Sequence, residues 1–482
     1  MKWLQGSRAV PTFRVSTTQR WVANADPSQR HSSGASWSDG HPANLLVLGC
    51  GPKAIATAAK REVLKRLGFQ VPTLTVVDKK GVAANWMGGS GFTDGRQLLG
   101  TPPDKDLAYP CNSSCWGPKS RLINKEMSDF SFHAYLIDQG ELSGWVDRGK
   151  PPPQHRKFGL YQKWVAAQLR LKPIISEISA IDIVNDHFRL RGKSSAQGIE
   201  GDGLMITGPG EPSPLRGQPA YHRHILNGKD FWRNLRKLGR KREVNVGIIG
   251  TGETAASIAC ALLPVLGGTD SFVEIIAPKG ALYSRDEGFL ANQKFSEPKD
   301  WEQLSLNHRA EFIDRTDLGV FSSLAMSVMG KFENWTLIGG RVVNMKTHPR
   351  GVRLRIDYDG RKEDHSYDYV IVASGFDPLW FTKLMTPRAK EALREHLGGL
   401  KLSNFVQQID SDLSVKGFRP LLHLPMLSRL SQGPGFPNLS CLGHLSDRIL
   451  SRYVRMPLIP DLPSIKGGNT RVILHVRDAE KQ

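Results

Sequence analysis

An α/β fold with two Rossmann-like dinucleotide-binding domains, the second interrupting the first, plus a small substrate-binding region, is predicted from three observations. Two glycine-rich loops, at 49–54 and 250–255, lie about 200 residues apart. Each follows a short apolar strand and opens a helix-compatible stretch. Each is also followed later by an apolar run that ends in small residues and glycine, Leu204–Gly210 and Tyr369–Phe376. Such runs mark a chain returning to a nucleotide-binding sheet.

The first loop sits between Leu45–Leu48 and a helix ending near Gly68, and the next strand, Leu74–Val77, ends in Asp78. In that order Gly49 permits the tight turn and Gly51 lets the backbone approach a pyrophosphate. The helix start at Pro52 and Lys53 supplies N–H donors and a positive dipole end. Asp78, with Lys79 behind it, is placed to accept hydrogen bonds from ribose hydroxyls, which assigns this loop to FAD. The second loop runs Gly250-Thr251-Gly252-Glu253-Thr254-Ala255, and no acid ends its next strand, Val273–Ala277. Lys279 and Arg285 follow instead, the charge that a 2′-phosphate needs, so this loop is assigned to NADPH. The expected division is an N-terminal arm at 1–42, the first part of the FAD domain at 43–214, the NADPH domain with a substrate-contacting segment at 215–375, and a return to the FAD domain with a C-terminal cap at 376–482.

Composition narrows the partners. Of 482 residues 39% are hydrophobic, and no apolar run reaches the length of a membrane span. No membrane association is expected. The net charge of +19 is spread along the chain rather than gathered in one arm, so it reads as a basic surface around anionic cofactor sites and no nucleic-acid partner is expected. Five cysteines, an odd count, indicate reduced thiols and a cytoplasmic setting. The close pair Cys111 and Cys115 has neither redox nor metal-ligand spacing, and no metal is expected.

The order of motifs resembles the flavin-dependent N-hydroxylating monooxygenases, the class B flavoproteins that include ornithine and lysine N-hydroxylases. The first loop, GCGPKAIA, is similar to the family's G-x-G-P-x-x-L-A, and Trp86 stands where the family has a tryptophan after its second strand. Lys105-Asp106-Leu107-Ala108 reproduces K-D-L-A, followed in order by Ser131-Phe132, Tyr135-Leu136, Phe158, Tyr161 and Trp164. GTGETAASI resembles G-x-G-x-x-A-A-x-I, and Asp368–Phe376 stands in for D-x-x-x-x-A-T-G-Y, with Ser374, Gly375 and Phe376 at its end. Gly443-His444-Leu445-Ser446-Asp447 resembles the closing G-L-S-D. The resemblance covers about residues 44–455.

That resemblance implies binding of FAD and NADPH, reaction with O2, formation of a C4a-hydroperoxyflavin, and attack on it by a neutral amine. The product enters secondary-metabolite or siderophore biosynthesis, and members often form homo-oligomers. It puts Ser374, Gly375, Ser446 and Asp447 at the cofactors and Lys105 on the substrate's α-carboxylate. His444 is a candidate proton handler, with no obligatory general base. Asn292-Gln293-Lys294-Phe295-Ser296 resembles N-E-x-F-N, with Ser296 at the second asparagine. Thr316-Asp317-Leu318-Gly319 resembles T-N-Y-G, with Asp317 replacing a substrate-contacting asparagine and Arg315 just before it. Two pockets stay open. In one, Lys105 holds the α-carboxylate, Asp317 faces a cationic group, and a side-chain amine is hydroxylated. In the other, Lys105 with Arg315 or Arg285 clamps two carboxylates, and the α-amine of an acidic amino acid such as aspartate is hydroxylated. An S- or C-oxygenating flavin enzyme on the same plan is the alternative.

Overall fold

The computed structural model describes residues 43–89, 91–193, 198–285 and 288–455. The expected arm at 1–42 and the end of the expected cap, 456–482, lie outside the described residues.

Two five-stranded parallel sheets organise the molecule. The first has the spatial order Leu421–His423, Gly203–Ile206, Asn44–Leu48, Thr73–Asp78, Ile174–Ile175. The second runs Trp335–Gly339, Phe272–Ala277, Asn245–Ile249, Tyr369–Val372, Ile225–Asn227. In each sheet the glycine-loop strand is central, the next strand flanks it on one side, and the returning apolar run flanks it on the other. The whole second sheet is inserted between Ile206 and Leu421, whose strands are neighbours in the first.

Strand alternation explains why each sheet needs cover on both faces. Leu45, Val47 and Val76 pack with the helix Pro52–Arg66, while Leu46, Leu48 and Val77 pack with Phe188 and Leu190 of a three-stranded antiparallel sheet, Ile178–Val184, His187–Gly192 and Ile199–Gly201. The second sheet repeats this plan. Val246, Ile248 and Ile275 lie under the helix Glu253–Leu266, and Ile249, Ile276 and Val370 meet Met345, Val352, Leu354 and Ile356 of a second antiparallel sheet. Each fully buried aliphatic side chain contributes roughly 1.5–3 kcal/mol, so both halves have cores of their own.

Candidate active site

Both glycine loops are held shut by the strand that returns beside them. Gly49 has φ +106°, and a Cβ there would lie 2.3 Å from Thr207 Oγ1. Gly250 has φ +124°, and its Cβ would lie 2.3 Å from the Ala373 carbonyl oxygen. Only glycine satisfies both the left-handed backbone and the close approach. The second glycines differ, since a Cβ on Gly51 or Gly252 would meet nothing within 4 Å. These residues cap the helices Pro52–Arg66 and Glu253–Leu266, and neither helix has a side-chain N-cap bond. Open space in front of first-turn N–H groups is what a pyrophosphate requires, so both loops fit a dinucleotide.

Asp78 braces the first loop from below. Its carboxylate accepts from the N–H groups of Cys50 at 2.9 Å, Lys80 at 2.7 Å and Gly81 at 2.8 Å. About three of its four acceptor positions are thus spent on the backbone, leaving one for a ribose. Lys79 reaches Glu211 at 3.7 Å. The buried Lys53, expected at the cofactor, turns inward and donates to the Pro437 carbonyl at 2.7 Å. Burial, with Arg429 nearby, pushes its ammonium down to about 8. Trp86 meets His155 and Phe158 edge-on, at 5.1 and 5.2 Å between ring centroids.

Around the second loop, Glu253 Oε2 lies 3.2 Å from the position of a Cβ on Gly100, and the Thr254 methyl packs against Gly228. Ser374 donates to the Ser213 carbonyl at 3.4 Å, and Gly375 takes φ +104°. Lys279 is held by Asp314, at 2.8 Å from its carboxylate and 2.6 Å from its carbonyl.

A cavity of about 160 Å³, with Gly100 against Glu253 of the second loop, is lined by Gly100, Thr101, Pro102, Lys105, Arg285, Asn292, Phe295 and Ser440. Lys105 Nζ donates to Asn292 Oδ1 at 3.0 Å, so residues 187 apart meet on one wall. Both were expected at the substrate. Ser296 stands one step back, its hydroxyl accepting from Tyr109 at 3.0 Å.

The remaining expected residues have other partners. Arg285, expected either at a 2′-phosphate or with Lys105 on substrate carboxylates, lines the cavity, its guanidinium 3.3 Å from Asp317 and over Phe295. Asp317 does not face the cavity as a free anion. Its side chain is 5% exposed and lies between Arg285 and Arg429, the latter at 3.5 Å. Arg315 is exposed and stacks on Tyr283, 4.0 Å from the ring centroid, away from the cavity walls. Ser446 and Asp447, expected at a cofactor, are buried. Asp447 receives Lys60 at 2.7 Å, Trp116 Nε1 at 2.8 Å and the Ser113 hydroxyl, and Ser446 bonds back to its own helix. A carboxylate so deep is stable only with such partners. His444 packs 3.9 Å from Asp447 with its pKa lowered by burial, and it does not line the cavity. Arg429, Ser440, Gly100 and Tyr109 were missed. Tyr109 alone had a signal, lying directly after the K-D-L-A motif.

Two dinucleotide loops on matched parallel sheets, with a cation-lined cavity next to the second, define a flavoprotein with paired dinucleotide-binding domains. The chain belongs to the family described as L-lysine 6-monooxygenase/L-ornithine 5-monooxygenase, which matches residues 123–378. It is 38% identical over 420 residues to the L-lysine N6-monooxygenase MbtG of Mycobacterium tuberculosis, covering 86% of this chain and 95% of that one. The lysine monooxygenase NbtG of Nocardia farcinica is 35% identical with a TM-score of 0.75, over 85% of this chain and 100% of that one. The ornithine N-hydroxylase KtzI of Kutzneria sp. 744, in a structure with reduced FAD, NADP+ and L-ornithine, shares the fold at 18% identity and a TM-score of 0.67, over 85% and 98% of the two chains. The protein is an NADPH- and FAD-dependent N-hydroxylating monooxygenase acting on the amine of a basic amino acid. Among the described residues no helix is long and apolar enough to cross a membrane.

Proposed function

We propose that the protein hydroxylates the side-chain amine of L-lysine, with Lys105 and Asn292 on the substrate's carboxylate end. The observation that carries this is the Lys105–Asn292 bond on the wall of a cavity whose Gly100 lies against Glu253 of the second dinucleotide loop. A 38% identical relative named as an L-lysine N6-monooxygenase supports the choice of substrate.

The 49–54 loop, with Asp78, would hold FAD and the 250–255 loop, with Glu253, Thr254 and Lys279, would hold NADPH. When bound, these cofactors supply hydride transfer and the activation of O2. The chain's own work is to bind, orient and dry the amine. An ammonium at Lys105 attracts the carboxylate, which sends the far end of the substrate away from that wall. The buried Phe295 is an apolar wall that keeps water out and favours the neutral, nucleophilic amine. Arg285 beside Lys105 adds the second cation that a dicarboxylate would need, so aspartate is included in the test. Five free thiols support a reducing, cytoplasmic compartment, and the product would enter siderophore or other secondary-metabolite assembly.

The test is a screen of amines and amino acids with purified enzyme, NADPH and O2, scored for hydroxylamine. L-lysine should give the largest yield per NADPH consumed. A larger yield from aspartate, or none from any amine, would reject the proposal.

A further inference from the structure

Three charged side chains from separate parts of the chain meet behind the cavity wall. Asp317, at the end of the helix Leu306–Thr316, directs Oδ1 to Arg285 Nη2 at 3.3 Å and Oδ2 to Arg429 Nε at 3.5 Å. The side chains of Asp317 and Arg285 are 5% and 16% exposed. Of the three, Arg285 is the one that lines the cavity, its guanidinium 5.3 Å from the centre of the Phe295 ring. With Lys105 on the same lining, the group places three cations against one carboxylate.

Lys105 and Arg285 therefore offer an anion two cations on this lining, with the Glu253 carboxylate close to Gly100 of the same cavity. Asp317 cannot serve a substrate ammonium, since both its oxygens face arginines, and a buried carboxylate without them would be strongly unfavourable. Its partners make more sense as the reason Arg285 stays in place. A guanidinium is a planar fork, Asp317 engages only one of its terminal nitrogens, and Arg285 itself lines the cavity. Lys105, already bonded to Asn292, offers a point charge with no planar preference.

We propose that Arg285 is a second anchor for the substrate's α-carboxylate beside Lys105, and that Asp317 and Arg429 are positioning residues that hold its guanidinium at the wall. Selectivity for an amino acid over the corresponding diamine then comes from Arg285 as well as Lys105. The proposal rests on the lysine reading above and deepens it.

The two are tested separately on FAD-loaded enzyme. L-norleucine keeps the α-carboxylate and lacks the amine to be oxidised, so its equilibrium binding reports the anchor without turnover. Wild type should bind norleucine, and Arg285→Ala should weaken that binding by about 10- to 100-fold, the size of a charge-assisted hydrogen bond. KM for L-lysine should rise by a similar factor, while KM for cadaverine, which has no carboxylate, and flavin reduction by NADPH should change less than about twofold. Asp317→Asn should show the same asymmetry, smaller in size, and Arg285→Lys should recover part of the norleucine affinity. Failure of wild type to bind norleucine, unchanged binding in Arg285→Ala, or parallel loss for lysine and cadaverine would overturn the anchor. Absence of hydroxylamine from L-lysine in wild type would overturn the substrate reading, with norleucine binding still deciding the role of Arg285.

Discussion

A Cβ on Gly49 would press against the Thr207 hydroxyl on a backbone with φ +106°. Gly49→Ala is therefore expected to cost about 1–3 kcal/mol of apo-protein stability, read by denaturant unfolding. Gly51 has open space around it, so Gly51→Val should leave apo stability nearly unchanged yet abolish retained FAD, measured as flavin per purified chain. Equal damage from both would show that Gly51 is structural. Lys105→Ala should raise the KM of the amine by about 10- to 100-fold and leave flavin reduction by NADPH within about twofold, checked by stopped-flow absorbance. Glycines such as these were readable in the sequence because a tight turn before a helix is a local requirement. The setting of Arg285 was not readable for the opposite reason. Arg285 follows the NADPH strand in sequence, but the partner that orients it lies 32 residues on, and Arg429 comes from a third stretch. No local spacing encodes such a triad.

At the scale of elements, the helices Phe289–Ser296 and Leu306–Thr316 belong to the inserted half by sequence and lean on the outer half by contact. Trp301, between them, is fully buried and donates to the Leu430 carbonyl at 2.9 Å, and Arg309 donates to the Glu302 carbonyl beside it. Tyr109 bonds to Ser296, and Gly435 has no room for a side chain against the Phe295 carbonyl. The Asn292 and Arg285 side of the cavity is thus positioned by residues more than 100 positions away, Tyr109 before it and Leu430 and Gly435 after it. Trp301→Ala should cost about 3–5 kcal/mol and lower the thermal midpoint. Because Trp301 anchors the segment that carries Asn292, the KM of the amine should rise in the same variant. A stability loss with unchanged KM would show that the segment keeps its place without the tryptophan. The sequence foresaw Asn292 and Lys105 on one site through ordered motifs. It did not foresee Ser440, which lies in a turn with no pattern of its own.

For the molecule as a whole, two buried groups tilt stability with pH in opposite directions, and His155 is the one whose contribution is lost in acid. Burial holds its imidazole down at about 4, below the ordinary 6.5, while Nδ1 sits 2.9 Å from the Thr93 hydroxyl. Between those values the unfolded chain takes up a proton and the folded chain does not. The contribution is complete above about pH 6.5 and is lost as the pH falls toward 4, on the order of 3 kcal/mol. Asp106 carries the opposite slope, since burial raises its carboxyl from 3.8 to about 7 and its contribution fades as the pH rises through that window. Comparing urea midpoints of wild type and His155→Gln at pH 4.5 and 7.5 isolates the histidine. The variant should lose less stability on acidification, and identical losses would remove His155 from this role.

The insertion of one sheet within the other also sets a timetable for synthesis. When Asn44–Leu48, Thr73–Asp78 and Gly203–Ile206 have emerged from a ribosome, the edge strand Leu421–His423 is still some 215 residues away. The inserted sheet has all five of its strands, 225–372, within one continuous stretch and is able to close first. The cavity waits longest, because Ser440 is the last of its walls to be made. A nascent chain halted near residue 400 would carry Lys105, Arg285 and Asn292 but lack the edge strand and Arg429 that complete their setting.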